Sequence, residues 1–197
     1  MQWAAFLTFV LTACYTPGPN IILAMNTARL FGFKKTLPLM AGMTGGLFVV
    51  MTLNAFANIF IGKYIPSLLP ALRTIGSVYL LYLAWKMAFP SKKTSNETCL
   101  GSRVPKIADG FTLQFLNPKV ILFGLTSMST FIAPWASSRG PFFLCGLFLT
   151  VNCAIAFTLW ALLGTAQGRV PGGQSRAMGI VMGMALAWCA LSVSGIF

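Results

Sequence analysis

Histidine is absent from the 197 residues, and Glu97 and Asp109 are the only acidic side chains. Without histidine there is no Ser-His-Asp triad and no imidazole to hold a metal. Two carboxylates in the whole chain leave nothing for paired-carboxylate hydrolysis. Charge of either sign is scarce: charged residues make up 8%, against about 25% in a soluble domain, which excludes a water-soluble globule. Cysteine spacing is missing too. Cys14, Cys99, Cys145, Cys153 and Cys189 form no CxxC and no metal-ligand pattern, and four of them lie in apolar runs, where cysteine acts as a small hydrophobe. No disulfide framework, no metal and no other cofactor is expected, and the five thiols are expected to be dispensable for chemistry.

What remains is apolar. Hydrophobic residues reach 57% and mean hydropathy is +0.80. The net charge of +12 would suggest nucleic acid in a soluble protein. In an apolar chain it is better explained by Lys and Arg kept in cytoplasmic loops, so no nucleic-acid partner is expected. Six apolar runs follow one another: 3–28, 36–61, 71–89, 108–134, 142–167 and 177–197. A spanning helix takes roughly 20 residues, and the runs lack a polar face along their whole length, as buried or membrane helices do. The expected fold is all-α, a polytopic membrane protein of six transmembrane helices and one domain, 1–197.

Loop charges orient it. The first, third and fifth loops hold Arg29, Lys34, Lys35, Lys86, Lys92, Lys93, Arg103, Lys106, Arg169 and Arg176, while the second and fourth hold Lys63, Arg73 and Arg139. The positive-inside rule puts the odd loops in the cytoplasm and both termini in the periplasm. Leu11-Thr12-Ala13-Cys14 looks like a lipoprotein processing box. No positive n-region precedes it, and the apolar run continues through Ile21, Ile22 and Leu23, so the first run is expected to stay as a span.

The two halves resemble each other. Pro19-Asn20-Ile21-Ile22-Leu23 sits over Pro118-Lys119-Val120-Ile121-Leu122 at an offset of 99, Gly46-Leu47-Phe48 over Gly146-Leu147-Phe148 at 100, Thr52-Leu53-Asn54 over Thr150-Val151-Asn152 at 98, and Leu83-Ala84-Trp85 over Leu186-Ala187-Trp188 at 103. Order and near-constant offset point to two three-span repeats, about 1–90 and 107–197. Three is odd, so the second repeat inserts upside down. Inverted repeats characterise secondary transporters.

Within this frame a few residues carry chemistry. Thr16-Pro17-Gly18-Pro19-Asn20 interrupts the first span. Its prolines remove donors and clash with the preceding turn. Asn117-Pro118-Lys119, with Gln114 one turn earlier, interrupts the fourth. A broken helix at membrane depth is tolerated only inside protein or against water, and paired breaks at equivalent places mark a transport site. Free N–H groups at the start of each resumed half-helix suit a carboxylate, and carbonyls ending the preceding half suit an ammonium. Lys119 either binds the carboxylate or snorkels to an interface. Asp109 is a proton carrier, or else an interfacial cap or a salt-bridge partner of Lys106. Asn54 and Asn152 join helices or touch ligand. Trp85 and Trp188 fit an aromatic belt, and Gly42, Gly45 and Gly46 let helices approach closely.

Thr16-Pro17-Gly18-Pro19-Asn20, the Gly32-Phe33 turn, Ala41-Gly42, Tyr82-Leu83-Ala84-Trp85-Lys86 and Leu113-Gln114-Phe115-Leu116-Asn117-Pro118-Lys119 together resemble the LysE/RhtB superfamily of bacterial amino-acid exporters, in order along the whole chain. Ser129-Thr130-Phe131-Ile132-Ala133-Pro134 and Leu83-Ala84-Trp85-Lys86 look closest to its cysteine and O-acetylserine branch. The resemblance implies an inner-membrane exporter of small neutral amino acids driven by the proton gradient, not an enzyme. Its partners would be an amino-acid substrate and the lipid bilayer, as a single copy or a homodimer. Alternatives are export of homoserine, threonine, leucine or lysine, a membrane thiol oxidoreductase using Cys14 and a second cysteine, and a passive channel or structural membrane protein. Broken paired spans argue against the last two.

Overall fold

The computed structural model describes residues 3–88 and 103–168, with single positions at 184, 187, 188 and 191. Its helices are α1 (Trp3–Tyr15), α2 (Pro19–Phe31), α3 (Phe33–Ile61), α4 (Ile65–Ala88), α5 (Ile107–Leu116), α6 (Pro118–Thr126) and α7 (Gly140–Gly168). A 3₁₀ turn, Gly62–Tyr64, joins α3 to α4, and a π turn, Ser127–Ile132, extends α6. No strand occurs among the described residues. The sixth run, 177–197, is thus described only at four positions. Lys92, Lys93, Glu97, Cys99, Arg169, Arg176 and Cys189 lie outside the described residues.

Both interrupted spans are broken. The axes of α1 and α2 meet at 45°, and those of α5 and α6 at 62°. Each bent pair is followed by a continuous helix of 29 residues, α3 and α7, both long and apolar enough to cross a membrane. One boundary differs from the sequence expectation. The segment from Gly62 to Pro70 reads as a loop, yet α4 begins at Ile65. Pro66 falls in its first turn, where the missing N–H would have had no helical partner. Pro70 then sits inside the helix.

The halves interlock rather than stand side by side. α5 lies along α3, and α2 lies along α7. Glycines make both contacts. A Cβ on Gly42 would strike the Ile107 backbone carbonyl, and one on Gly110 the Leu39 carbonyl. Gly164 and Gly168 meet the carbonyls of Met25 and Arg29 in the same way. Close backbone approach of this kind is how apolar helices associate without a hydrophobic driving force. Gly42→Leu must push backbone against backbone. It should destabilise the folded chain by about 3 kcal/mol, seen as a lower melting temperature in detergent.

The core runs through Val10, Leu39, Met43, Leu47, Met51, Met128 and Leu149. Outward, α3 presents Phe48, Leu53, Phe56 and Phe60, and α7 presents Leu144, Leu147, Val151 and Leu159, all exposed. Such a surface is an aggregation hazard in water and a lipid-facing one in a bilayer. Trp85 and Trp188 also lie on the outside.

Candidate functional site

The two breaks are built alike. Gly18 is the N-cap of α2 with extended backbone (φ −127°, ψ −179°), and Pro19 is its first helical residue. Asn117 is the N-cap of α6 (φ −94°, ψ 103°), and Pro118 its first. Proline suits that place because its φ is preset and its missing N–H was unneeded. The caps then diverge. Asn117 Oδ1 accepts the Lys119 N–H at 3.1 Å, and the Asn117 carbonyl accepts from Val120 and Ile121. The free donors expected after the second break are therefore largely consumed, because Asn117 caps its own helix. Gly18 has no side chain to cap with, and α2 begins without a side-chain cap.

Three buried amides link the breaks. Gln114 Nε2 donates to the Gly110 carbonyl at 3.2 Å. Asn20 Nδ2 donates to Gln114 Oε1 at 2.7 Å, and Asn117 Nδ2 donates to Asn20 Oδ1 at 2.9 Å. The relative exposures are 0% for Gln114, 5% for Asn20 and 3% for Asn117. Buried amides are costly unless bonded. Here each finds partners in the others, so α2, α5 and α6 are fixed in one register by a polar network.

Three carbonyls around the end of α1 are also taken. Trp160 Nε1 on α7 donates to the Tyr15 carbonyl at 3.2 Å. Thr16 turns back, its N–H bonding the Thr12 carbonyl at 3.0 Å and its Oγ1 donating to the same oxygen. The Thr16 carbonyl receives Lys119 Nζ at 2.9 Å. Lys119 therefore does not snorkel: its ammonium crosses from the second break to the first. The carbonyl expected to hold a substrate ammonium is held by an ammonium of the chain itself.

A cavity of about 40 Å³ opens beside these groups. Gly18, Asn20, Asn117 and Lys119 make its polar wall. Leu47, Val120, Phe123 and Phe157 supply apolar surface, and Cys14 and Cys153 complete it. Of the residues singled out in the sequence, Thr16, Gly18, Asn20, Gln114, Asn117 and Lys119 thus come together. Pro17, Pro19 and Pro118 shape the breaks, and Gln114 braces them from behind the wall. Three others stand apart. Asn54 Nδ2 reaches the Ile121 carbonyl at 3.3 Å and Gly124 packs on it, so it grips α6 rather than the cavity. Asn152 donates to the Phe148 carbonyl of its own helix at 2.9 Å, half-exposed, and its equivalence to Asn54 does not extend to its contacts. Asp109 caps α5 by accepting the Lys106 N–H at 2.7 Å and pairs with Arg103 at 2.9 Å, not with the Lys106 side chain. None of the three lines the cavity.

Sequence reasoning named Cys14 only for the thiol oxidoreductase alternative, and did not place it, Cys153, Phe157 or Trp160 at this site. Cys14 sits two residues before the break, which could have drawn attention to it. The other three carry no local signal, because α7 reads as an unbroken apolar helix and only the packing of α1 and α2 on it brings them in.

Comparison with known proteins gives the family. The sequence profile of the LysE type translocators matches residues 11–194. The cysteine/O-acetylserine efflux protein of Salmonella typhimurium (strain LT2) is 32% identical over 196 residues, covering 98% of this chain and 97% of its own length. That of Escherichia coli (strain K12) is 32% identical over 190 residues, covering 96% of each. No solved structure matches. With a profile match over nearly its whole length and full-length relatives at this identity, the chain belongs to the LysE type translocator family.

Proposed function

We propose that the protein is an inner-membrane exporter of small neutral amino acids, with cysteine and O-acetylserine as substrates, coupled to the proton gradient. The observation that carries the reading is the Lys119–Thr16 hydrogen bond spanning two helix breaks beside a cavity. An amino acid zwitterion can insert into that bond. Its carboxylate takes Lys119 Nζ, and its ammonium takes the Thr16 carbonyl that Lys119 releases. One charge-assisted bond becomes two, and no buried group is left bare. The uncapped N-terminus of α2 adds positive potential on the carboxylate side. The apolar wall of Leu47, Val120 and Phe123 suits a short side chain, and the names of the relatives favour cysteine and O-acetylserine.

The repetition of bent pair and 29-residue helix supports six spans in two inverted repeats, about 1–90 and 107–197, with both termini periplasmic. Alkaline phosphatase fused after Phe197 is expected to be active, and fused at Lys93 inactive; the opposite pattern sinks the topology. The function itself is tested in inverted membrane vesicles. Labelled cysteine and O-acetylserine should accumulate when a proton gradient is imposed and not when it is collapsed. Accumulation no greater than in vesicles lacking the protein would overturn the reading.

A further inference from the structure

The two cysteines of the cavity wall face each other. Cys14 Sγ on α1 and Cys153 Sγ on α7 lie 3.1 Å apart, both buried and both free thiols, 139 residues apart in sequence. Sulfurs in a disulfide stand about 2.05 Å apart, so roughly 1 Å of movement separates contact from bond. Cys145, also buried and free on α7, does not line the cavity. The pair is thus set apart from the other described thiol by position as well as by proximity.

We propose that Cys14 and Cys153 are an oxidative modification site, joined by hydrogen peroxide into a disulfide that locks the half-helix before the first break onto α7 and arrests transport. The size of the cavity admits the oxidant. One water needs about 10–15 Å³ of such space, so about 40 Å³ accepts the two oxygens of a peroxide. The sulfur of one cysteine attacks a peroxide oxygen and the O–O bond breaks. The departing hydroxide leaves with the thiol proton as water, and a sulfenic acid remains. The second sulfur attacks the first and the S–O bond breaks. The second hydroxide leaves with the second thiol proton as water. Two thiols are oxidised, one peroxide is reduced, and two waters form.

The lock follows from what the bond would join. Cys14 is two residues before Thr16, whose carbonyl holds Lys119, and the intervening Tyr15 carbonyl is already tied to Trp160 on α7. Cys14 directly precedes Tyr15 on α1, and Cys153 lies about two helical turns before Trp160 on α7, so a covalent link there would add a second, separate tie and remove the remaining freedom of the break to move against α7. The arrest rests on the exporter reading; the cross-link does not.

The experiment treats the purified full-length chain in proteoliposomes with hydrogen peroxide. Peptides are then mapped without reduction, and labelled cysteine flux and thermal unfolding are measured. A Cys14–Cys153 linkage should appear, Tm should rise by about 5–10 °C, and flux should fall at least about fivefold and return with dithiothreitol. Cys145→Ser should respond in the same way. Cys14→Ser and Cys153→Ser should each show no linkage, no rise in Tm and the same flux before and after peroxide. Absence of the linkage at doses that oxidise glutathione completely overturns the proposal, as does linkage with undiminished flux. If the reduced chain moves no amino acid, the exporter reading fails instead, and linkage with the rise in Tm still decides the lock.

Discussion

Gly18→Leu is expected to abolish export while leaving the protein in the membrane at its normal abundance. Gly18 caps α2 in extended backbone, φ −127°, ψ −179°, a conformation open to any residue. A leucine there meets no backbone strain. What it meets is Lys119. A Cβ on Gly18 would lie 3.1 Å from Lys119 Cδ and 3.2 Å from Nζ. Alanine asks the flexible lysine to shift by a few tenths of an ångström. Leucine extends three carbons further into a cavity of about 40 Å³. It displaces Nζ from the Thr16 carbonyl and occupies the space a substrate would need. Overpacking of this kind costs about 1–3 kcal/mol, or up to about 100-fold in occupancy of the site. Flux of labelled cysteine into inverted vesicles, normalised to protein detected in the membrane, should fall by about 100-fold for leucine and by less for alanine. Leucine flux equal to that of the unaltered chain would show that substrate passes elsewhere.

The helices and the breaks were legible because their causes are local. A proline lacks the N–H that a helix interior uses, so Pro17-Gly18-Pro19 and Asn117-Pro118 mark their breaks locally, although Pro38 and Pro70 are carried inside α3 and α4. The apolar runs likewise give α3 and α7 to within about one helical turn at each end. What could not be read is what happens across the interior. Asn117 carries no mark that its side chain will serve two masters, capping Lys119 and bonding Asn20. The start of α4 was misplaced because Pro66 and Pro70 look like loop residues until the helix register puts the first of them in the opening turn. Asn54 and Asn152 align in sequence, yet one reaches Ile121 and the other its own helix, because alignment fixes a position along a helix and not the carbonyl its side chain meets. The thiol contact of Cys14 and Cys153 depends on two helices 139 residues apart, and no spacing rule reaches that far.

Lys119→Met is the second large expected effect, and it separates the lysine's part in binding from its part in folding. A lysine in a membrane interior costs roughly 3 kcal/mol on insertion scales. Its hydrogen bond to the Thr16 carbonyl at 2.9 Å returns about 1.5–3 kcal/mol. Methionine removes the charge cost and the bond together and leaves one carbonyl bare, at about 1–3 kcal/mol. Stability should therefore change little, and the chain should insert and fold. Binding should not be spared. If the carboxylate is held by Lys119 Nζ, losing that charge-assisted bond removes about 1.5–3 kcal/mol, raising KM by about 10- to 100-fold. The contrast is sharpest against an amine that has no carboxylate, such as cysteamine. The unaltered protein should prefer cysteine strongly over cysteamine as a competitor of labelled cysteine flux, and Lys119→Met should lose most of that preference by weakening cysteine alone. Lys119→Arg keeps the charge but sets a broad, planar head beside Gly18, and should fall between the two. A methionine variant whose KM and competitor preference match those of the unaltered chain would leave Lys119 as a strut between the two breaks, with the carboxylate held by the N–H groups at the start of α2.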